Sequence, residues 1–176
     1  MKVATVHFSQ AKSLHLEGRF QEAEAIYLHL LDQNPGDAEA LHLLGLLHAD
    51  TNRFESSIQL LRIAIAIEGP RPWLCRNLGV ILERSGDTNS AIACYRQALE
   101  ESPGDHELWA TTAALLDAQQ RHGEAALCWQ GAVGAKLCSP YQAALANSLA
   151  LSGNRPAAIA QYDLLLAREP DHLEAT

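Results

Sequence analysis

Residues 77–103 read NLGVILERSGDTNSAIACYRQALEESP, and the spacing of small and bulky residues in this segment identifies the architecture of the chain. The small residue Gly79 is followed twelve residues later by Ala91, and the aromatic Tyr95 comes four residues after that. The same arrangement returns along the chain with strides of 34, 34, 34 and 33 residues. A period of this length indicates a stacked repeat, in which each unit buries its apolar face against its neighbours.

Three positions define the repeat, and each pairs a size of side chain with a place in a helical hairpin. Small residues let two antiparallel helices approach to within about 8–10 Å, and a bulky residue one turn later fills the gap between units. The first small position holds Ala11, Gly45, Gly79, Ala113 and Ala146; the second holds Ala23, Ser57, Ala91, Ala125 and Ala158; the bulky position holds Tyr27, Leu61, Tyr95, Trp129 and Tyr162.

Turn-forming residues separate the predicted helices. Glycines 18, 86 and 153 stand between the two helices of a repeat, where the chain must enter the left-handed region. Asn34-Pro35-Gly36-Asp37 closes the first repeat, and Asp37 is the predicted N-cap of the next helix. The residues therefore predict an all-α solenoid of five helix-turn-helix hairpins.

This pattern resembles the tetratricopeptide repeat (TPR) family, most clearly at Leu78-Gly79, Ala91, Tyr95 and Pro103. The resemblance covers residues 4 to 172 and implies a right-handed α-α superhelix with repeats at about 4–37, 38–71, 72–105, 106–138 and 139–172, in a single domain spanning 1–176. Residues 171–175, DHLEA, look like the start of a sixth repeat. We therefore expect the chain to be the N-terminal part of a longer protein.

The fourth repeat departs most from the pattern. It has no glycine between its helices, at residues 119–122, and it carries Gly131 and Gly134 inside its second helix. Each interior glycine costs about 1 kcal/mol relative to alanine. We expect a locally looser helix there, and a kink in the superhelix.

Composition favours a globular binding protein over several other classes. Hydrophobic residues make up 48% and charged residues 19%, as in folded domains. The net charge of −8, with basic residues scattered, argues against nucleic acid as partner. The apolar stretches are too short to cross a bilayer, and the N-terminus lacks the apolar run of a signal peptide. We expect a cytoplasmic protein without membrane contact.

No catalytic or metal-binding motif is apparent among the chemistry-bearing residues. His42 and His48 are six residues apart on one predicted helix and cannot share a metal. The four cysteines form no CxxC pair, so we interpret them as small buried or half-buried residues in a reducing compartment. We predict no enzyme activity, no cofactor and no metal.

In the TPR family the first helix of each repeat lines a concave groove, and the resemblance transfers that role to the matching positions here. The groove residues so predicted are Phe8, Lys12, His42, Leu46, Trp73, Arg76, Asn77, Val80 and Glu83. Two basic and four acidic residues fall on groove positions across the chain. Trp73 is either a ligand anchor or a residue packed on the preceding second helix, whereas Trp109 and Trp129 are predicted to be core. The lysine-rich clamp with which some members hold carboxylate tails is missing.

Three functions remain open. The leading hypothesis is a non-catalytic scaffold that binds a protein partner, as a peptide or a helix, in the groove. The second is an N-terminal arm of a glycosyltransferase, sulfotransferase or methyltransferase, since residues 41–47 look like bacterial repeat proteins that precede such domains. The third is self-association as a homodimer through the uncapped C-terminal helix.

Overall fold

The computed structural model describes the backbone of residues 2–168 and the side chains of residues 8–168. Within this range the chain forms helices and no strands. They are α1 (Lys2–Leu16), α2 (Phe20–Gln33), α3 (Ala38–Asp50), α4 (Phe54–Glu68), α5 (Pro72–Ser85), α6 (Thr88–Glu101), α7 (His106–Ala118), α8 (His122–Ala135), α9 (Ser139–Leu151) and α10 (Arg155–Arg168). The predicted start of a sixth repeat, residues 171–175, lies outside the described residues. The helices form five successive hairpins, which confirms the all-α helical repeat.

Two compact units make up the chain, residues 1–98 and residues 99–176. The core of the first unit is built between neighbouring hairpins. Tyr27 and Leu30 of α2 pack with Leu44 and Leu47 of α3, and further along Leu41 of α3 is buried in one cluster with residues of α4 and α5. Within this unit each hairpin therefore buries its apolar face against the next one, as the repeat predicts.

Close helix approach explains the repeating small residues. A Cβ atom added to Gly45 would lie 2.2 Å from Leu61 Cδ1, and one added to Gly79 would lie 2.3 Å from Tyr95 Cε1. The second small position is equally tight, because its five residues are all buried. At Ser57 the extra hydroxyl donates a hydrogen bond of 2.6 Å to the Gly45 carbonyl oxygen, so the serine is satisfied where alanine stands in the other repeats.

Helix ends follow the predicted turn residues. Gly18, Gly86 and Gly153 all have positive φ, and the Asp37 carboxylate accepts a hydrogen bond from the Ala40 amide. In the second and fourth hairpins, which lack the glycine, Asn52 and Gln120 take the left-handed conformation instead, with φ of 59° and 60°. The turn geometry is thus kept although the residue that favours it is absent.

Helix α8 in the second unit runs without interruption from His122 to Ala135, although we expected it to be looser. Gly131 has a packing role, because a Cβ there would lie 2.6 Å from the Trp109 ring. The indoles of Trp109 and Trp129 are half-buried within this unit. Trp109 Nε1 donates to the Pro103 carbonyl oxygen at 2.9 Å, so the ring is held by both packing and a hydrogen bond. Among residues 2–168, no helix has the length and apolar character needed to cross a membrane.

Candidate functional site

The first helices of three successive hairpins, α1, α3 and α5, line one groove in the first compact unit, with a volume of about 630 Å³. We call it the main groove. Four of the predicted residues, Lys12, Leu46, Asn77 and Val80, line it. Apolar side chains supply most of the remaining wall, namely Leu16, Phe20, Leu43, Ala49 and Ile81. Leu16 and Val80 are exposed, so the groove presents apolar surface to solvent.

A row of polar contacts closes the groove at the C-terminal ends of these helices. His15 Nε2 and Asp50 Oδ2 are 3.1 Å apart, and Arg84 Nη1 lies 3.4 Å from Asp50 Oδ1. Arg84 Nη2 also donates to the Ala49 carbonyl oxygen at 3.0 Å, and its guanidinium lies over the Phe54 ring at 5.3 Å. Arg84 is thereby fixed by three neighbours.

The sequence prediction did not include the Asp50 and Arg84 contacts, although a signal was present. His15, Asp50 and Arg84 are separated by 35 and 34 residues, which is one repeat each time. Residues one repeat apart lie beside each other on adjacent first helices, so an acid between a histidine and an arginine at this spacing predicts a row of polar contacts.

A second depression, which we call the Trp73 pocket, adjoins the main groove and has a volume of about 320 Å³. Lys12 and Leu43 line both. The other lining residues are Glu39, His42, Glu68 and Trp73. Lys12 Nζ donates to Glu39 Oε1 at 2.7 Å. Trp73 is 43% exposed, and its ring meets the His42 ring edge-on with centroids 4.7 Å apart. The exposed part of the indole is available to a ligand.

His42 and Asn77, both predicted as ligand contacts, are hydrogen-bonded to each other. The Asn77 amide donates to His42 Nε2 at 2.8 Å. Burial lowers the pKa of His42 to about 4, so the ring is neutral at pH 7 and carries its proton on Nδ1. His42 therefore supports Trp73 as an uncharged aromatic neighbour.

The remaining three predicted residues, Phe8, Arg76 and Glu83, do not line either cavity. Phe8 is partly buried and packs against the core of the first hairpins, and Arg76 is half-buried on α5. The Glu83 carboxylate accepts a hydrogen bond of 2.9 Å from the Tyr95 hydroxyl. Burial, together with this carboxylate, raises the pKa of Tyr95. Glu83 thus has an internal partner.

The second compact unit holds a polar cluster centred on Asp117. This carboxylate accepts hydrogen bonds from Trp129 Nε1 at 2.8 Å and Ser148 Oγ at 2.7 Å, and it lies 2.8 Å from His122 Nδ1. The Trp129–Asp117 bond spans the same twelve residues as Tyr95–Glu83. Both bonds tie the bulky residue of the repeat to its own hairpin, so we interpret the cluster as structural.

No disulfide joins the four cysteines, all of which lie in the described part of the chain. Cys75 and Cys128 are buried and Cys94 and Cys138 are half-buried, and the sequence predicted this burial. Burial raises the pKa of Cys94 to about 11, which keeps its thiol protonated at pH 7 and unreactive. In the part of the chain that the structure describes, no group of histidine, cysteine and carboxylate side chains is arranged to hold a metal ion.

Comparison with known proteins matches this chain to models of the tetratricopeptide repeat at residues 5–71 and 72–105. Tetratricopeptide repeat protein 7A of Homo sapiens is 25% identical over 96 residues, 54% of this chain and 11% of that protein. The match therefore spans about a tenth of that relative's length.

Two solved structures share the fold. The MamA protein has a TM-score of 0.76 at 16% identity, with 97% of this chain and 94% of that chain covered. YrrB, described as a TPR protein with an unusual peptide-binding site, has a TM-score of 0.72 at 18% identity, with 95% and 87% covered. At these identities the likeness establishes the fold and nothing about ligands.

Proposed function

The chain belongs to the tetratricopeptide repeat family, and from that premise we propose that it is a protein-interaction scaffold which binds a partner segment, a peptide or a helix, in the main groove. One observation carries the proposal: apolar side chains from three successive hairpins converge on this groove, exposed at Leu16 and Val80 and half-buried at Leu43 and Leu46. Val80 of α5 is 43% exposed and Leu16 of α1 is 90% exposed. Apolar surface concentrated in one concavity, with polar groups at its ends, is typical of a binding site.

The groove's dimensions and stiffness suit a linear ligand. Its volume of about 630 Å³ lies within the range of about 300–1,000 Å³ that ligand pockets occupy. Its walls are helices held in place by a buried core and by the contacts of Asp50 with His15 and Arg84. Little conformational entropy of the groove is therefore lost when a ligand binds. The bound segment would bury its apolar side chains against Leu43, Leu46 and Val80. The peptide-binding description of YrrB is consistent with this proposal by analogy of fold.

A selection from random linear peptides tests the proposal. The immobilised full chain is used as bait, and enriched peptides are measured by fluorescence anisotropy against Val80→Asp and Ile63→Asp. Ile63 lies on α4, is 47% exposed and lines neither cavity, so it is matched to Val80 in exposure and chemistry. We expect Val80→Asp to weaken binding at least tenfold and Ile63→Asp to leave it unchanged. Equal affinity for the two variants would place binding elsewhere on the protein.

A second candidate function, self-association, is favoured by the outer face of α10. Ile159 is 59% exposed, whereas Ala126, which holds the equivalent position on α8, is 4% exposed and packs against α9 residues such as Leu145. The α10 face therefore carries the residue pattern that receives a following helix. Self-association through it predicts a molar mass, measured by light scattering, that rises with concentration and is lowered by Ile159→Asp. A constant monomer mass would remove this candidate.

A further inference from the structure

The basic side chains that line the main groove and the Trp73 pocket already have partners within the protein. Lys12 is paired with Glu39 at 2.7 Å, and Arg84 is held by Asp50, by the Ala49 carbonyl oxygen and by the Phe54 ring. An acidic group on a ligand would have to share these basic groups with the carboxylates of Glu39 and Asp50. The surface is therefore poorly suited to a carboxylate.

Glu68 is the contrasting case. It is the last residue of α4, it is exposed, and it lines the Trp73 pocket. Among residues 8–168 its carboxylate has no hydrogen-bond or ion-pair partner. The unpaired carbonyl groups at the C-terminal end of α4 add partial negative charge at the same place. After Lys12 and Glu39 neutralise each other, the pocket keeps one net negative charge.

The aromatic wall of the pocket complements this charge. The indole of Trp73, 43% exposed, offers a negative ring face to a cation. Its aromatic neighbour His42 is uncharged, so it does not repel a cation. An alkyl chain can lie along Leu43 and the indole while its charged end reaches the Glu68 carboxylate, which is how long basic side chains pack on apolar surfaces.

We infer that the Trp73 pocket receives a lysine or arginine side chain of the segment bound in the main groove, with Glu68 and the Trp73 indole as its contacts. The inference rests on the proposed function and specifies its ligand, since the pocket and the groove share Lys12 and Leu43. The partner segment thus carries apolar side chains for the groove and a basic residue beside them.

The peptides selected by the full chain provide the test. We expect lysine or arginine to be enriched at one fixed distance from the apolar residues, and we expect Glu68→Gln to weaken binding of such a peptide about threefold, the size of an exposed ion pair. Replacing the basic residue of the peptide by norleucine removes the ion pair and the cation–π contact together, so it is expected to cost about tenfold in the wild type. In Glu68→Gln the same replacement is expected to cost only about threefold, because the cation–π contact alone is left to lose. Glu55→Gln is the control, since Glu55 is exposed at the other end of α4, about 20 Å away along the helix.

The possible results of this experiment distinguish failure of the basic-residue pocket from failure of the proposed groove-binding function. Peptides that lose binding with Val80→Asp but show no basic preference and no response to Glu68→Gln would overturn the inference and keep the groove as the binding site. Peptides indifferent to Val80→Asp would overturn both. A charge-reversed variant, Glu68→Lys, adds a positive result: selection on it is expected to shift from basic to acidic residues, and an unchanged selection contradicts the inference. Circular dichroism of each variant confirms that its helices are intact.

Discussion

Replacing Gly79 by alanine tests whether the small residues of the repeat are set by helix packing. The added Cβ would lie 2.3 Å from Tyr95 Cε1 and 2.5 Å from Cδ1, well inside ordinary van der Waals contact. Tyr95 is 1% exposed, and its hydroxyl is bonded to Glu83, so the rigid ring has little freedom to move. Overpacking a core costs about 1–3 kcal/mol, and we expect the upper end of that range here.

Helix propensity opposes this cost, and the difference can be measured. Alanine gains about 1 kcal/mol over glycine within a helix, so the net loss in the free energy of unfolding is about 2 kcal/mol. For a chain of this size that lowers Tm by about 4–8 °C. Gly134→Ala is the matched control, because a Cβ there meets nothing within 4 Å. We expect it to stabilise the protein by about 0.5–1 kcal/mol, the gain in helix propensity alone. Urea unfolding followed by circular dichroism measures both.

The first hairpin offers a comparison that sharpens the test. It has Ala11 and Tyr27 at these two positions, both fully buried, and the Tyr27 hydroxyl has no hydrogen-bond partner among the described residues. A ring free of such a bond can shift to admit the methyl group. The destabilisation by Gly79→Ala should therefore shrink when Tyr95→Phe removes the bond to Glu83. A Gly79→Ala protein as stable as the wild type would refute the packing argument.

Two further predictions concern pH. Burial depresses the pKa of His42 to about 4, so the unfolded chain binds a proton at this residue at higher pH than the folded chain does. The free energy of unfolding should therefore fall by on the order of 2 kcal/mol as the pH drops from about 6.5 to 4. Urea unfolding of His42→Gln should show a shallower fall over the same pH range. The Arg53 guanidinium holds the pKa of Glu24 below its ordinary value. This ion pair therefore stabilises the fold fully at pH values above the ordinary pKa, and its contribution is lost as the pH falls through the lowered pKa. Glu24→Gln should lower the free energy of unfolding by about 1 kcal/mol at neutral pH and by nothing in strong acid, and a loss independent of pH would exclude the ion pair as its source.

The sequence predicts the hairpins well because their determinants are local. Whether Gly45 must be small depends on Leu61, sixteen residues away in the same hairpin, and the stride repeats that relation five times. Helix ends are likewise set by one or two residues, such as Asp37 and Gly86. The sequence alone predicts that Gly131 loosens its helix, because a helix-propensity scale does not include contacts with other helices. In the structure Gly131 leaves room for the Trp109 ring of the preceding helix.

The proposed binding surface is harder to predict because its residues differ from one repeat to the next. A residue assigned to the groove by its position in the repeat can instead be hydrogen-bonded within its own hairpin. Glu83 accepts a hydrogen bond from Tyr95 in this way, and Asp117 accepts one from Trp129. Counting these acids as groove charge therefore overstates what a ligand meets. The register also omits Glu68, because this residue lies at the end of a second helix although it lines the Trp73 pocket. The charge available to a ligand follows from which carboxylates are left without a partner after packing, and that depends on contacts between helices that the periodic pattern does not encode.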